Sequence, residues 1–207
     1  PYRRLYPLAG LKKLAQVREQ VFASSRWFPS LRIYRRKYLE AFRFPEQVHY
    51  EDTMTIPFVY LQDMFVQFID KPLLGYRERP GSITSRHTHQ QLCQLYAFYQ
   101  TISVTEANAA MRILKIRLAR TLAYFYRELQ AEDFPMSAVL ADMHEIKLDK
   151  QARKTLEWSD WVMYAAPHLY MRINAWRVKS AGPGVADGGI VPSGNLDAGT
   201  VESFGDE

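Results

Sequence analysis

Two neighbouring carboxylates, Glu51 and Asp52, stand with Thr53 just before an amphipathic segment at residues 54–64. We expect that segment to be a helix, because Asp52 or Thr53 can cap it and Pro57 suits its first turn. The N-terminus of a helix favours a carboxylate in its ionised form. An ionised carboxylate that faces a cleft can act as a general base. The pair equally fits a helix start with a purely structural role, so both interpretations stay open on these residues alone.

Basic and hydroxyl side chains follow further along the chain. Arg77 and Arg79 are two residues apart in a segment, residues 73–79, whose composition predicts a strand, so both side chains would face the same side. The turn behind this strand carries Ser82 and Thr84. Guanidinium groups bind phosphate oxygens through paired hydrogen bonds, and turn amides and hydroxyls can complete the site. We therefore predict a diphosphate-binding surface here, with an exposed ladder of charges as the structural alternative.

Taken in chain order, the motifs of residues 27–85 resemble the C-terminal half of a family 2 glycosyltransferase with the GT-A fold, of the kind that builds bacterial polysaccharides or glycolipids. An Arg-rich aromatic run occupies residues 32–39, and a Phe-Pro pair follows at 44–45. Tyr-Glu-Asp-Thr stands at 50–53 and Tyr-Arg-Glu-Arg-Pro-Gly-Ser-Ile-Thr at 76–84. Each motif is short, but their order and spacing make the combination fairly specific.

The resemblance implies an inverting transfer of a sugar from a nucleotide-sugar donor to a hydroxyl of a saccharide or lipid-linked acceptor. Asp52 would be the catalytic base, and Glu51 would contact the acceptor or orient that base. The diphosphate leaving group would be neutralised by a divalent metal, Mg or Mn, and by nearby residues of this chain. Those residues would be Arg77, Arg79, Ser82 and Thr84. Many relatives carry a metal-ligating histidine where Arg79 stands, so its guanidinium would instead contact the diphosphate directly.

The nucleotide-binding half of such an enzyme, with its Asp-x-Asp metal motif, has no counterpart before Trp27. No aspartate at all precedes Asp52, and the first residue is Pro1 and not Met. We therefore expect the metal ligands to lie mostly outside this sequence. We also expect the chain to be a fragment of a longer enzyme and to be inactive by itself.

The predicted fold class is an α/β fragment, the C-terminal part of a GT-A domain, followed by a helical extension, with mainly α structure by residue count. Residues 1–25 would form a basic helical lead-in, with a helix from about 8 to 23. Residues 26–85 would hold a short strand near 26–36, a helix at 37–42 and strands at 65–70 and 73–79. The helical extension would cover residues 86–179, and a flexible, acidic, glycine-rich tail residues 180–207.

Apolar stripes at helical spacing predict the helices of the extension. The first stripe contains Leu92, Leu95, Tyr99 and Ile102, and the second runs from Met111 to Leu129. The basic residues of the second helix are expected on its exposed face; they are Arg112, Lys115, Arg117, Arg120 and Arg127. A third helical stretch after residue 147 should be interrupted at Pro167.

The charge is distributed unevenly along the chain. The net charge is +5, but residues 181–207 contain five acidic and no basic side chains, so residues 1–180 carry +10. A basic body attracts polyanions. The alternative function is therefore a non-catalytic basic helical module that binds nucleic acid or an anionic membrane, although nucleic acid is not the favoured partner.

Aromatic and basic residues near the end of the extension are the candidates for peripheral membrane contact; they are Trp158, Trp161, Tyr164, Tyr170 and Trp176 with Arg172, Arg177 and Lys179. Core packing is the favoured interpretation of these aromatics. The single cysteine, Cys93, excludes a disulfide framework and should be a buried thiol. His87 and His89 are expected at the surface or at a helix cap. Cytoplasmic location, with possible peripheral attachment to the inner face of the membrane, completes these expectations.

Overall fold

The computed structural model describes residues 8–71, 73, 75, 87–103 and 107–181, with side chains described as far as residue 174. In this part of the chain the structure is mainly helical and contains one small antiparallel sheet, so the expected predominance of helix is confirmed. The strands are β1 (Gly10–Lys13) and β2 (Phe65–Phe68). The helices are α1 (Leu14–Ser24), α2 (Glu51–Val59), α3 (His89–Thr101), α4 (Ala109–Glu128), α5 (Met136–Glu145), α6 (Lys150–Thr155), α7 (Trp158–Ala165) and α8 (Pro167–Ala181), with 3₁₀ turns at Pro29–Leu31 and Arg36–Tyr38.

Residues 10–13 are extended, so the helix predicted from residue 8 begins only at Leu14. β1 pairs antiparallel with β2, Gly10 opposite Phe68 and Lys13 opposite Phe65. The N–H of Leu14 donates to the carbonyl of Met64, 2.8 Å away, at the point where β1 passes into α1. Pairing with β2, which is distant in the sequence, therefore makes residues 10–13 a strand despite the helical spacing of their apolar side chains. The strand predicted at 65–70 is confirmed for residues 65–68.

The strand and helix predicted for residues 26–42 are wrong, because this segment is a loop with two 3₁₀ turns. The side chain of Arg32 donates hydrogen bonds to backbone carbonyls of the loop, which in a strand would accept from a neighbouring strand. Its Nη1 donates to the carbonyl of Phe28 at 2.7 Å, and its Nη2 donates to the carbonyl of Arg26. Its Nε donates to the hydroxyl of Tyr60 at 3.1 Å. Aromatic packing supplies the rest, since the buried Trp27 meets the Tyr60 ring at 6.1 Å.

Helix α4 occupies the centre of the molecule. It packs against α1, α3, α5, α6, α7 and α8. The predicted apolar stripes are confirmed as core, and the buried residues from α1 to α8 form one cluster. The buried members of these stripes are Leu92, Leu95, Tyr99, Ile102, Met111, Leu114, Leu118, Leu122 and Phe125.

Three of the basic residues predicted on the exposed face of α4 are buried. Lys115, Arg117 and Arg120 expose only 3%, 4% and 2% of their surface. A helix surrounded on several sides has little outer face, so its long basic side chains must find partners inside. Lys115 donates to the carbonyl of Ile102 at 2.5 Å and lies 3.1 Å from the Asp142 carboxylate. The predicted row of exposed basic residues on α4 is therefore wrong at these three positions.

Asp160 of α7 has no solvent exposure and lies between two guanidinium groups. Its Oδ2 accepts a hydrogen bond from Arg117 Nη1 at 2.6 Å. Its Oδ1 lies 3.0 Å from Arg120 Nε. Glu157 adds a second carboxylate, 3.2 Å from Arg117 Nη1. Burial raises the pKa of Asp160, and the two arginines oppose that shift. These contacts tie α7 to α4.

Several surface expectations differ from the structure. Cys93, predicted to be buried, is exposed. Trp158 and Trp161, for which core packing was favoured, are 70% and 44% exposed, whereas Tyr170 is buried as predicted. Pro167 separates α7 from α8, which confirms the predicted interruption. Helix α5 was not predicted, and residues 182–207 of the predicted tail lie outside the described part of the chain.

We expect Asp160→Ala to lower the free energy of unfolding by about 3–5 kcal/mol, because it leaves the buried Arg120 without its carboxylate and Arg117 with Glu157 alone. Urea unfolding followed by circular dichroism measures this change. Asp63→Ala is the matched control, since Asp63 is exposed and lies 3.6 Å from an exposed Lys13. That control should change stability by about 0–1 kcal/mol. Equal effects of the two substitutions would contradict a stabilising role for the buried network.

Candidate functional site

Asp52 lies in the first turn of α2, and the residue that precedes the helix is Tyr50. The predicted capping by Asp52 or Thr53 is therefore wrong, because both residues are already helical. Tyr50 adopts a left-handed backbone conformation with φ of 62°. Pro57 lies in the body of the helix and not in its first turn. The acidic pair is nevertheless placed at the start of the helix, as the sequence predicts.

One oxygen of the Asp52 carboxylate is held by the residue that follows it. Oδ1 accepts a hydrogen bond from the Thr53 N–H at 2.6 Å and from the Thr53 hydroxyl at 3.3 Å. Thr53 is buried, and Asp52 itself is half-buried, whereas Glu51 is exposed. The carboxylate that could act as a base is thus fixed in direction while part of it remains accessible.

Burial raises the pKa of Asp52 above its ordinary value, and the neighbouring charge of Glu51 acts in the same direction. The hydrogen bonds from Thr53 and the positive charge of Arg32 oppose the increase. Partial removal from water thus outweighs the ionising effect that the sequence leads us to expect at a helix start. A carboxylate with a raised pKa binds a proton more strongly. It is a more effective general base when that pKa lies closer to the working pH.

Arg32 is a positively charged neighbour of Asp52 that sequence reasoning did not single out for the site. Its guanidinium packs over the rings of Trp27 and Tyr60, with centroids at 5.9 and 5.5 Å. Hydrogen bonds to Phe28 and Tyr60 hold it in place. The position of this charge depends on the folded loop, so the spacing of residues in the sequence does not predict it.

The second feature missed by the sequence is a pair between the buried side chain of His87 and the partly exposed Glu128. His87 Nδ1 lies 2.7 Å from Glu128 Oε2, and the His87 side chain is only 6% exposed. The imidazole lies 4.0 Å from the ring of Phe125 and 5.7 Å from that of Tyr124. The prediction of a surface or capping histidine is therefore wrong for His87. Thr88, the next residue, caps α3.

Tyr50 brings this pair and the acidic turn together. Its ring lies 6.1 Å from that of Phe125. Burial raises the pKa of Tyr50 to about 12, and the charges of Glu128 and Asp52 contribute to the increase. The start of α2 and the end of α4 consequently meet around one group of ionisable side chains. These residues are far apart in the sequence, so only the fold reveals the group.

The predicted diphosphate site, Arg77, Arg79, Ser82 and Thr84, lies outside the described residues. Most of the strand predicted at 73–79 does so too. His87, the third residue after Thr84 in the sequence, lies beside Phe125 and Glu128. The structure therefore brings Asp52, Tyr50, His87 and Glu128 together, and the relation of the arginine pair to this group stays a prediction.

The loop before α2 carries a shallow, open depression of about 590 Å³. Its lining combines an aromatic ring, two guanidinium groups, a carboxylate and an aliphatic side chain; these belong to Tyr34, Arg43, Arg36, Glu40 and Leu39. Arg36 Nε lies 3.4 Å from Glu40 Oε1. Rings and paired polar groups of this kind can bind a sugar through its faces and hydroxyls.

A metal site is not formed by the residues that the structure describes. Among them, no three His, Cys, Asp or Glu side chains are grouped closely enough to hold a metal ion. These residues do not fit the expected Mg or Mn, and we derive no step through a metal. Within the same residues, no helix is both long enough and apolar enough to cross a membrane.

Comparisons with protein-family models, curated proteins and solved structures found no match for this chain. The interpretation of the site therefore depends on its own residues and their geometry. Its central observations are a half-buried carboxylate with a raised pKa, a fixed guanidinium nearby, and a pair between His87, just before α3, and Glu128 at the end of α4.

We expect Asp52→Asn to gain stability relative to the natural chain as the pH rises from 4 to 7.5. The folded pKa of this carboxyl is raised above 3.8, so the native state binds the proton more tightly than the unfolded state. The natural chain therefore loses stability as the pH passes from 3.8 up through the raised pKa, and an asparagine does not. Urea unfolding of both proteins across this range measures the difference.

Glu51→Gln is the control for this experiment, since Glu51 adjoins Asp52 but is exposed. It should show a smaller change of stability with pH than Asp52→Asn, because the favourable position of Glu51 near the helix N-terminus is offset by its repulsion of Asp52. If Glu51→Gln gained as much stability between pH 4 and 7.5 as Asp52→Asn, burial would not govern the Asp52 carboxyl.

Proposed function

We propose that this chain contributes the acceptor side of a family 2 type, GT-A glycosyltransferase and is followed in that enzyme by its own helical extension. It would transfer a sugar, with inversion, from a nucleotide-sugar donor to a hydroxyl of a saccharide or lipid-linked acceptor. The observation that carries this proposal is Asp52, a half-buried carboxylate with a raised pKa in the first turn of a helix. The donor class also suggests a cytoplasmic reaction.

The proton transfer assigned to Asp52 follows from its hydrogen bonds. Since Oδ1 is occupied by Thr53, Oδ2 is the oxygen that would accept the proton of the acceptor hydroxyl. The acceptor oxygen then forms its bond to the anomeric carbon while the bond from that carbon to the diphosphate breaks on the opposite side. Glu51, exposed beside Asp52, would bind the acceptor or orient the base.

The leaving diphosphate requires positive charge and hydrogen-bond donors. Arg77 and Arg79 remain the proposed cations, with Ser82 and Thr84 as donors. A divalent metal, Mg or Mn, belongs to the proposal with ligands outside the described residues, where it would further stabilise the departing charge. The depression beside Tyr34 is the proposed contact for the acceptor saccharide.

The exposed face of the small sheet is an argument for a missing structural neighbour, which a nucleotide-binding half would supply. Leu11 and Phe65 lie on the same face of the ribbon by strand alternation and are 63% and 65% exposed. Ile69, just beyond β2, is 56% exposed. A two-stranded ribbon is marginally stable alone, and an exposed apolar face favours further strands or a covering layer.

The alternative, a basic helical module for nucleic acid, gains no support from α4. Lys115, Arg117 and Arg120 are buried and bind groups inside the molecule. They cannot reach a polyanion without unfolding this part of the core. We therefore do not propose nucleic acid as a partner.

Asp52→Asn in the full-length gene product should reduce sugar transfer by about 10²- to 10⁴-fold, because it removes the general base. Donor binding should be unchanged. Transfer is measured with a set of labelled nucleotide-sugars and saccharide acceptors, and donor binding by calorimetry. Glu51→Gln is the matched control and should change the KM for the acceptor more than kcat. Retained turnover in Asp52→Asn would refute the base assignment.

A further inference from the structure

The outer surface of α7 carries two large apolar side chains, Trp158 and Trp161, which are 70% and 44% exposed. Their indole rings stack on each other, with centroids 5.8 Å apart and planes inclined by 17°. On the next helix, α8, Leu169 is also 49% exposed. Large apolar side chains exposed together usually mark a contact surface. We refer to Trp158 and Trp161 as the tryptophan patch.

The buried ion pairs of Asp160 with Arg117 and Arg120 determine which way the tryptophan patch faces. Asp160 points inward to Arg117 and Arg120. At roughly 100° per residue, Trp158 and Trp161 then lie about 100–160° around the helix from Asp160 and face outward. The exposure of the tryptophans is thus a consequence of how α7 is anchored and not of a loose helix end.

Positive charge borders the tryptophan patch. Lys150, Arg153 and Lys154 are exposed on α6, immediately before α7, and Arg172 is exposed one turn after Leu169. The acidic residues of the same stretch, Glu157 and Asp160, bind Arg117 inside the molecule. Among the exposed charged residues from 145 to 172, the cations Lys147, Lys150, Arg153, Lys154 and Arg172 outnumber the acidic Glu145 and Asp149, and Glu157 is 32% exposed.

We propose that the tryptophan patch and its bordering cations dock on the surface of an anionic lipid bilayer. Tryptophans settle at the level of the head groups, and lysine and arginine meet the lipid phosphates. The charge of the surface favours this occupant over a second copy of the chain, because two such faces would repel.

The test uses the full chain and sedimentation with vesicles. Vesicles of equimolar phosphatidylglycerol and phosphatidylcholine should bind it, and pure phosphatidylcholine should bind it much less. Trp158→Ala/Trp161→Ala should weaken binding to the anionic vesicles by about tenfold or more. Brominated acyl chains should quench the tryptophan fluorescence of the natural chain much more than that of the double variant, which retains Trp27 and Trp176.

Two double charge variants distinguish binding through this surface from non-specific electrostatic attraction between the basic chain and the anionic vesicles. Lys150→Glu/Lys154→Glu and Lys12→Glu/Lys37→Glu have the same net charge, and all four lysines are exposed. Only the first pair should abolish vesicle binding. Equal loss in both pairs, or unchanged binding in the tryptophan variant, would overturn the proposal. So would tryptophan-dependent binding to an oligonucleotide or to immobilised saccharides without any binding to vesicles.

Discussion

The Asp160 carboxylate, enclosed by Arg117 and Arg120, joins α7 to α4, the helix against which the other helices of the extension pack. Removing charges from water is unfavourable unless their partners are held in good geometry. Such a pair therefore admits few alternative arrangements of α4 and α7. Replacing all three residues by apolar ones could leave the fold stable, but it would release the rotation of α7. The orientation of the outer aromatic surface follows from this buried pairing.

Helix α4 connects the turn that bears Asp52 with helix α7. Its middle holds the arginines that anchor α7, and its last turn carries Phe125 and Glu128, which contact Tyr50 and His87. The turn that bears Asp52 thus rests on the helical extension. The extension therefore supports the candidate base, because one continuous core joins these elements.

The sequence predicts those features that depend on local pattern, such as the apolar faces of α3 and α4, β2, and the acidic pair at the start of α2. Prediction from the sequence fails where the structure of a segment depends on a partner that is distant in the sequence. Residues 10–13 have helical spacing but pair with β2, and Arg117 has surface chemistry but meets Asp160 inside. His87 and Glu128 are 41 positions apart, and no spacing rule links them.

Tyr50 adopts a positive φ, which is unfavourable for a residue with a side chain, and Pro57 removes one backbone donor from the short helix that follows. Helix α2 therefore has little tendency to form by itself. It is stabilised by packing, including the contact between Tyr50 and Phe125. In kinetic terms, α2 should assemble after α4 has found its neighbours, so the carboxylate of Asp52 would reach its final environment late in folding.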